Sequence, residues 1–248
     1  MKPAVRHKKL LAKLRESNML SVEELAEAFD TSRETIRRDI TFLAANNRLR
    51  KVHGGAVSMP SGFEQRFQER AGAMREEKLA ACRKALALVR PGESLFIDNG
   101  TTTLIFAELL LDVRDLTVLT NSLRIVNLLS SRHKVFLLGG WVDADASATI
   151  GPGAILQAGQ FNTDHAFLSI GGITLDHGFC DFTEPDAAIA LAMLKNAAKT
   201  TIITDHSKFW KNALVRMCAL EEIDCLATDA PVPEEFLPRF KTGNVRIL

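Results

Sequence analysis

In "TSRETIRRDI" (Thr31–Ile40), Arg33 and Arg37 stand four residues apart with Arg38 beside them, so a helix here crowds guanidinium groups. Like charges at that spacing cost an isolated helix roughly 0.2–0.5 kcal/mol, and a polyanion would remove the cost. A second set of polar residues recurs where apolar runs end: Asp98-Asn99-Gly100-Thr101-Thr102-Thr103, Asn121-Ser122, Gly139-Gly140, Ser169-Ile170-Gly171-Gly172 and Asp205-His206-Ser207-Lys208. Hydroxyls and helix N-terminal N–H groups after a glycine suit an anion. Carboxylates such as Asp98 and Asp205 accept hydrogen bonds from sugar hydroxyls, and Lys208 offers a point charge to phosphate.

Three helical patterns must position the arginines. Leu10, Leu11 and Leu14 make an apolar strip on the first. The second opens with Ser21 and Glu24 at capping-box spacing and carries Val22, Leu25, Ala26 and Phe29 on one stripe. A short turn leads to the third, where Thr31 and Glu34 repeat the capping spacing and Ile36, Ile40 and Leu43 form the buried stripe. At about 100° per residue, Arg33 and Arg37 flank that stripe and Arg38 lies nearly opposite. Two short extended runs around Gly54-Gly55 follow as a hairpin. Two helices, a tight turn and a hairpin make a winged helix-turn-helix whose second helix enters the major groove of double-stranded DNA. Thr31, Ser32, Arg33, Thr35, Arg37 and Arg38 are the expected contacts on the helix, with Lys51 and His53 on the wing.

Past residue 57 the pattern changes. Residues 58–74 hold Pro60 and no long apolar stripe, and read as a linker between a 1–57 domain and a 75–248 domain. A helix around 76–89 is expected next. The apolar runs "SLFID", "LTVLTN", "KVFLLGG", "HAFLSIGG", "TTIITD", "DCLATD" and "VRIL" then alternate with helical segments. That alternation predicts an α/β, Rossmann-like, mostly parallel sheet covered on both faces. Its strand ends converge on one edge, where ligands bind. Asp98, Gly100, Thr101, Thr102, Thr103, Asn121, Ser122, Gly139, Gly140, Gly171, Asp205 and Lys208 are the expected effector residues, and Trp141 and Trp210 the expected rim.

Composition agrees with this division. Residues 1–57 hold 12 Lys and Arg against 7 Asp and Glu, and the remainder 19 against 23, so a basic head precedes a mildly acidic body. No run approaches the roughly 18–20 apolar residues that cross a bilayer, and the N-terminus has no secretory-signal pattern. The four cysteines include no CxxC pair, and the histidines show no ligand spacing, so no metal or cofactor is expected, and the cytoplasm is the expected compartment.

The stretch from Ser21 to Val57 resembles the N-terminal region of DeoR-type (DeoR/GlpR) bacterial transcription regulators, most closely in "TIRRD" and "HGGA". "DNGTTT", "TNS", "LLGG" and "DHSKF" extend the resemblance over nearly the whole chain. It implies a repressor of a carbohydrate operon with a sugar-phosphate effector bound in a domain similar to ribose-5-phosphate isomerases. It also implies a homo-oligomer, dimer or tetramer, since symmetric operators need paired heads. Two features depart from the family pattern: Asp143 stands where an Arg is frequent, and Asp186 with Ala190 where a Glu–Lys pair is frequent. Losing two cations leaves the effector's phosphorylation open. The rival reading makes the body an isomerase-like enzyme, with Asp98, Asp181 or Glu184, and Lys208 as its acid–base and polarising groups.

Overall fold

A computed structural model describes residues 3–17, 19–45, 49–57 and 67–248. The chain divides into two compact units, Met1–Phe63 and Glu64–Leu248. Residues 58–66 of the expected linker lie outside the described residues. Its remainder is not a linker in the structure: Phe67–Gly72 is helical and belongs to the second unit, with Phe67 buried there.

The head runs α1 (Pro3–Ser17), β1 (Met19–Ser21), α2 (Val22–Ala28), α3 (Arg33–Ala45), β2 (Arg50–Val52) and β3 (Gly55–Val57). Ser21 starts α2 with the anticipated capping box, its hydroxyl accepting from the Glu24 amide while Glu24 accepts from the Ser21 amide. Leu10, Leu14, Leu25, Ile36, Ile40 and Leu43 close one small core. The wing hairpin turns at Gly54, whose φ of +79° is open to glycine, and β1 completes an antiparallel sheet in the order β1-β3-β2. Gly55 backs onto Leu20, where a Cβ would strike the Leu20 carbonyl. Asp39 at the end of "TIRRD" is buried and clasps α1 to α3, accepting from Arg6 and bonding His7 at 2.8 Å. Burial pushes its carboxyl up, but the bonds from Arg6 and His7 outweigh burial and hold it below the ordinary range.

The body opens with α4 (Phe67–Gly72) and α5 (Arg75–Leu86). It continues through β4 (Ser94–Ile97), α6 (Thr101–Leu110), β5 (Thr117–Thr120), α7 (Leu123–Leu129) and β6 (Lys134–Leu137). A hairpin, β7 (Trp141–Asp143) and β8 (Ala148–Ile150), precedes α8 (Pro152–Ala158) and β9 (His165–Leu168). Then come β10 (Gly172–Thr174), β11 (Gly178–Asp181), α9 (Glu184–Lys195) and β12 (Thr200–Thr204). The chain ends in β13 (Val215–Cys218), β14 (Cys225–Thr228), α10 (Leu237–Thr242) and β15 (Arg246–Ile247). Seven strands form a wholly parallel sheet in the order β15-β14-β12-β9-β4-β5-β6. All seven match the apolar runs read from the sequence. The hairpin β7–β8 and the small antiparallel sheet β10-β11-β13 do not.

Alternation along each strand fills two cores. Leu95 and Ile97 of β4 pack with Ala81, Cys82, Phe106 and Leu110 of α5 and α6. Phe96 between them faces Ala154, Ala187 and Met193 of α8 and α9. His165 is a core residue: it bonds Thr201 Oγ1 at 2.8 Å, stacks on Phe167, and burial pushes its pKa down to about 4. All four cysteines are free and buried. Among the described residues no helix is long and apolar enough to cross a membrane, and no three His, Cys, Asp or Glu gather to hold a metal ion.

Candidate DNA-reading helix and candidate effector pocket

On α3 the cap is Ser32, not Thr31. Its Oγ accepts from the Thr35 amide at 3.1 Å and shares a 2.8 Å hydrogen bond with the Thr35 hydroxyl, so Thr35 rather than Glu34 fills the third helical position. Glu34 instead meets Arg38 at 3.2 Å across one turn, and Arg33 meets Glu23 of α2 at 3.5 Å. Arg37 is exposed and has no ionic or hydrogen-bond partner among the described residues. The three arginines therefore project away from the core stripe, two of them lightly held by carboxylates. Lys51 of β2 donates to Thr41 Oγ1 at 3.3 Å, which brings the wing beside α3, and His53 is exposed at the hairpin turn.

The expected effector residues fall into three groups in the body. The first surrounds a pocket of about 230 Å³. Asp98 ends β4, and its Oδ2 accepts from the Ser169 amide at 2.8 Å and hydroxyl at 3.0 Å, joining it to the end of β9. Gly100 permits this approach, since a Cβ there would overlap the Ser169 side chain. Thr103 is spent on the same loop, accepting from the Gly100 amide at 2.9 Å and donating to the Asp98 carbonyl. Gly171 abuts the Phe182 ring, where a Cβ would come within 2.9 Å. Asn99, Ser169 and Ile170 line the pocket itself.

The second group seats the hairpin. Asn121 Nδ2 donates to the Thr149 carbonyl at 3.1 Å, and Ser122 caps α7. The Gly139 amide donates to Gln157 of α8 at 2.7 Å, and Gly140 lies against the Ile150 carbonyl. None of the four lines the pocket; they hold in place the hairpin whose tip, Asp143, Asp145 and Ala146, does. The third group gathers at Lys78, a buried lysine that sequence reasoning missed. Its Nζ donates to the carbonyls of Arg70 and Ala73 and to Thr101 Oγ1. Burial first, then the nearby Lys208 charge, pushes its pKa down to about 8, with Asp205 opposing. Asp205 itself caps the turn at Ser207, and the Thr102 carbonyl accepts from the Cys82 thiol.

The remaining wall comes from α4 and from the β11–α9 junction: Phe67 and Arg70, then Asp181, Thr183 and Asp186. Arg124 of α7 lies 3.9 Å over the Phe67 ring and donates to the Ala146 carbonyl. Burial raises the Asp186 carboxyl; the Thr183 hydrogen bond and the Arg70 charge oppose it, and Asp143 adds to it. Burial likewise pushes Asp98 up to about 6 against the Ser169 and Thr103 bonds, with Asp186 adding to the rise. Asp98 Oδ1, Asn99 Oδ1 and Asn121 Oδ1 are buried without partners. Neither tryptophan is on the wall: Trp141 is 79% exposed, and Trp210 packs edge-on against Phe236.

Two family models match this chain, a DeoR-like helix-turn-helix domain over residues 6–61 and a DeoR C terminal sensor domain over residues 73–230. The chain belongs to the DeoR family. The glycerol-3-phosphate regulon repressor of Escherichia coli K12 is 33% identical over 235 residues, 94% of this chain and 93% of that protein. The transcriptional repressor CsqR of the same organism is 30% identical over 245 residues, 98% of this chain and 94% of that one. Among solved structures, ribose 5-phosphate isomerase A of Methanocaldococcus jannaschii matches at TM-score 0.41 and 15% identity over 55% of each chain. The two departures from the DeoR pattern now have places. Asp143 is on the pocket wall, and Ala190 is 1% exposed inside the α8–α9 core.

Proposed function

We propose that this DeoR-family chain is a DNA-binding transcriptional repressor of carbohydrate-use genes, whose operator affinity is set by a sugar phosphate or related effector bound at the strand ends of the body. The observation that carries this reading is the exposed arginine face of α3, placed by a cap and a core stripe in the geometry that enters a major groove. The pocket in the same chain gives that head a ligand to answer to. Thr31, Ser32, Arg33, Thr35, Arg37, Arg38, Lys51 and His53 contact DNA in this reading, and two copies of the chain address the two halves of an operator. The relatives' names as repressors support it.

The enzymatic alternative draws on one observation, the Asp98 carboxyl pushed up to about 6 beside a pocket, which is what a general base needs. Of its two candidate partners, Asp181 lines the pocket, whereas Glu184 is exposed and off the wall. Operator titration with and without a panel of sugars and sugar phosphates separates the readings. A repressor shifts its operator affinity by about 5–150-fold with its effector and turns none of the panel over. Turnover that is lost in Asp98→Ala, with no change in DNA affinity, would establish the enzyme instead.

A further inference from the structure

Taking the pocket as the effector site, its walls specify the kind of effector. Among the described residues of the wall, four aspartates, Asp143, Asp145, Asp181 and Asp186, face one cation, Arg70. Arg70 already lies 5.6 Å from the Phe67 ring centroid and acts on the Asp186 charge. The neighbouring cations are engaged elsewhere, Arg124 with the Ala146 carbonyl and Phe67 ring, and Lys78 with two carbonyls and Thr101. Independently of that charge, two buried acceptors lack donors, one on the wall residue Asn99 and one on Asp98, which is bonded to the wall residue Ser169 without itself lining the pocket. Asp98 is 5% exposed, its Oδ2 is held by pocket-lining Ser169, and its Oδ1 is unpaired, as is Asn99 Oδ1. A buried acceptor left unpaired is costly, and the group that relieves it must donate a hydrogen bond. Hydroxyl and ammonium groups donate, whereas a phosphate ester at neutral pH brings acceptor oxygens and up to two negative charges.

We propose that this pocket holds a non-anionic, donor-rich polyol, neutral or amine-bearing, and discriminates against its phosphate monoesters. The cavity, about 230 Å³, is below the roughly 300–1,000 Å³ of drug-sized sites and suits one monosaccharide-sized molecule. Ligand hydroxyls bond to Asp98 Oδ1 and Asn99 Oδ1, and the carboxylates of Asp143 and Asp186 take further hydroxyls or an ammonium.

Isothermal titration of the full chain with matched pairs tests this: glucose and glucose 6-phosphate, glucosamine and glucosamine 6-phosphate, sorbitol and sorbitol 6-phosphate, glycerol and glycerol 3-phosphate. At least one unphosphorylated member should bind about tenfold or more tightly than its ester, since like charges are juxtaposed only in the ester. That gap should narrow in Asp143→Asn and Asp186→Asn, with melting curves confirming the fold, and should shrink as salt rises. Glucosamine binding above glucose identifies the amine as the preferred donor; the reverse order identifies the neutral polyol. An ester binding more tightly than its parent overturns this proposal and leaves the effector reading standing. Failure of both members of every pair to bind, or to change operator affinity, overturns both.

Discussion

Arg37 on α3 is exposed and unpartnered among the described residues, whereas Asp98 at the end of β4 is 5% exposed with one oxygen bonded and the other orphaned. The head keeps its functional charges in solvent, where leaving them unsatisfied costs little, and waits for a polyanion to approach. The body buries polar groups whose unmet capacity is expensive, which on the proposed reading a ligand of matching shape relieves. In the proposed reading one region reads a surface and the other a cavity, and stability is tied to function more tightly in the second. The exception in the head is Asp39, a buried charge that serves the fold.

That exception gives the largest expected effect. Asp39→Ala removes the carboxylate that accepts two hydrogen bonds from the Arg6 guanidinium, itself 8% exposed. Breaking a buried pair costs ~3–5 kcal/mol, and a thin unit with water close by should sit at the low end. Both tryptophans lie in the body and the chain has no tyrosine. Melting followed by tryptophan fluorescence should therefore match the parent, while circular dichroism loses the head's helices early. Coincident loss in both signals would show that the two units unfold together. Asp39 also makes the head acid-sensitive. Its folded pKa is depressed, so its stabilisation is present above the usual 3.8 and lost as pH falls through the folded value.

Next in size is the ranking of arginines on DNA. Arg37→Ala should cost ~1–3 kcal/mol in operator affinity if it reads a base, or lower the salt slope by about 1 if it reads phosphate. Arg33 and Arg38 must first leave Glu23 and Glu34, exposed pairs worth ~0–1 kcal/mol. Their alanine variants should therefore cost less than Arg37→Ala in the same titration. Equal losses for all three would mean that the free-state pairs do not matter.

This contrast also explains what the sequence disclosed. The α3 arginines and the seven strands of the parallel sheet were legible because each depends on local periodicity: a helix phase, or an apolar run ended by polar residues. The pocket wall depends on segments from Phe67 to Asp186 that meet only after the sheet assembles, so Asp143 and Asp186 stood out only as departures from the DeoR pattern and Asp181 only as an acid–base candidate, and nothing local joined them into one wall. Gly139, Gly140 and Asn121, which looked like ligand groups, help to seat a hairpin, a use that cannot be told from ligand binding by residue type. Lys78 did leave a trace. It occupies the first position of the stripe Lys78, Ala81, Cys82, Ala85, whose other members are fully buried, and a lysine on a buried stripe is a functional or structural charge by default.

Lys78 supplies a third, smaller effect. Its folded pKa of about 8 lies below the ordinary 10.5, so between these values the unfolded chain holds more protons and folding stability should rise with pH. Cys82, pushed up to about 12, acts in the opposite direction above 9. Lys78→Met should remove the rising component alone, a difference on the order of 1–2 kcal/mol once partial solvation is allowed for. Denaturant titrations of parent and variant at pH 7.5 and 9.5 measure it. An identical pH dependence in the two proteins would place the Lys78 ammonium in solvent.

The smallest expected effect on stability, and the most specific for function, comes from Asp98→Asn. The folded Asp98 pKa is raised to about 6 from 3.8, so its contribution favours folding below 3.8 and is lost as pH rises through 6. The asparagine variant should lack that decline, and at pH 7 should equal or exceed the parent by ~1 kcal/mol, since burial no longer opposes a charge. Its amide oxygen can still accept from the Ser169 amide and hydroxyl, which keeps the ends of β4 and β9 together. What changes is the orphaned oxygen, which becomes an N–H donor that a ligand hydroxyl meets less favourably. A protein that is as stable as the parent and binds operator as the parent does, yet no longer responds to effector, is the expected phenotype. An Asp98→Asn protein with full effector response would show that the unpaired oxygen has no part in ligand binding, and that the buried charge at this strand end is tolerated for reasons of fold alone.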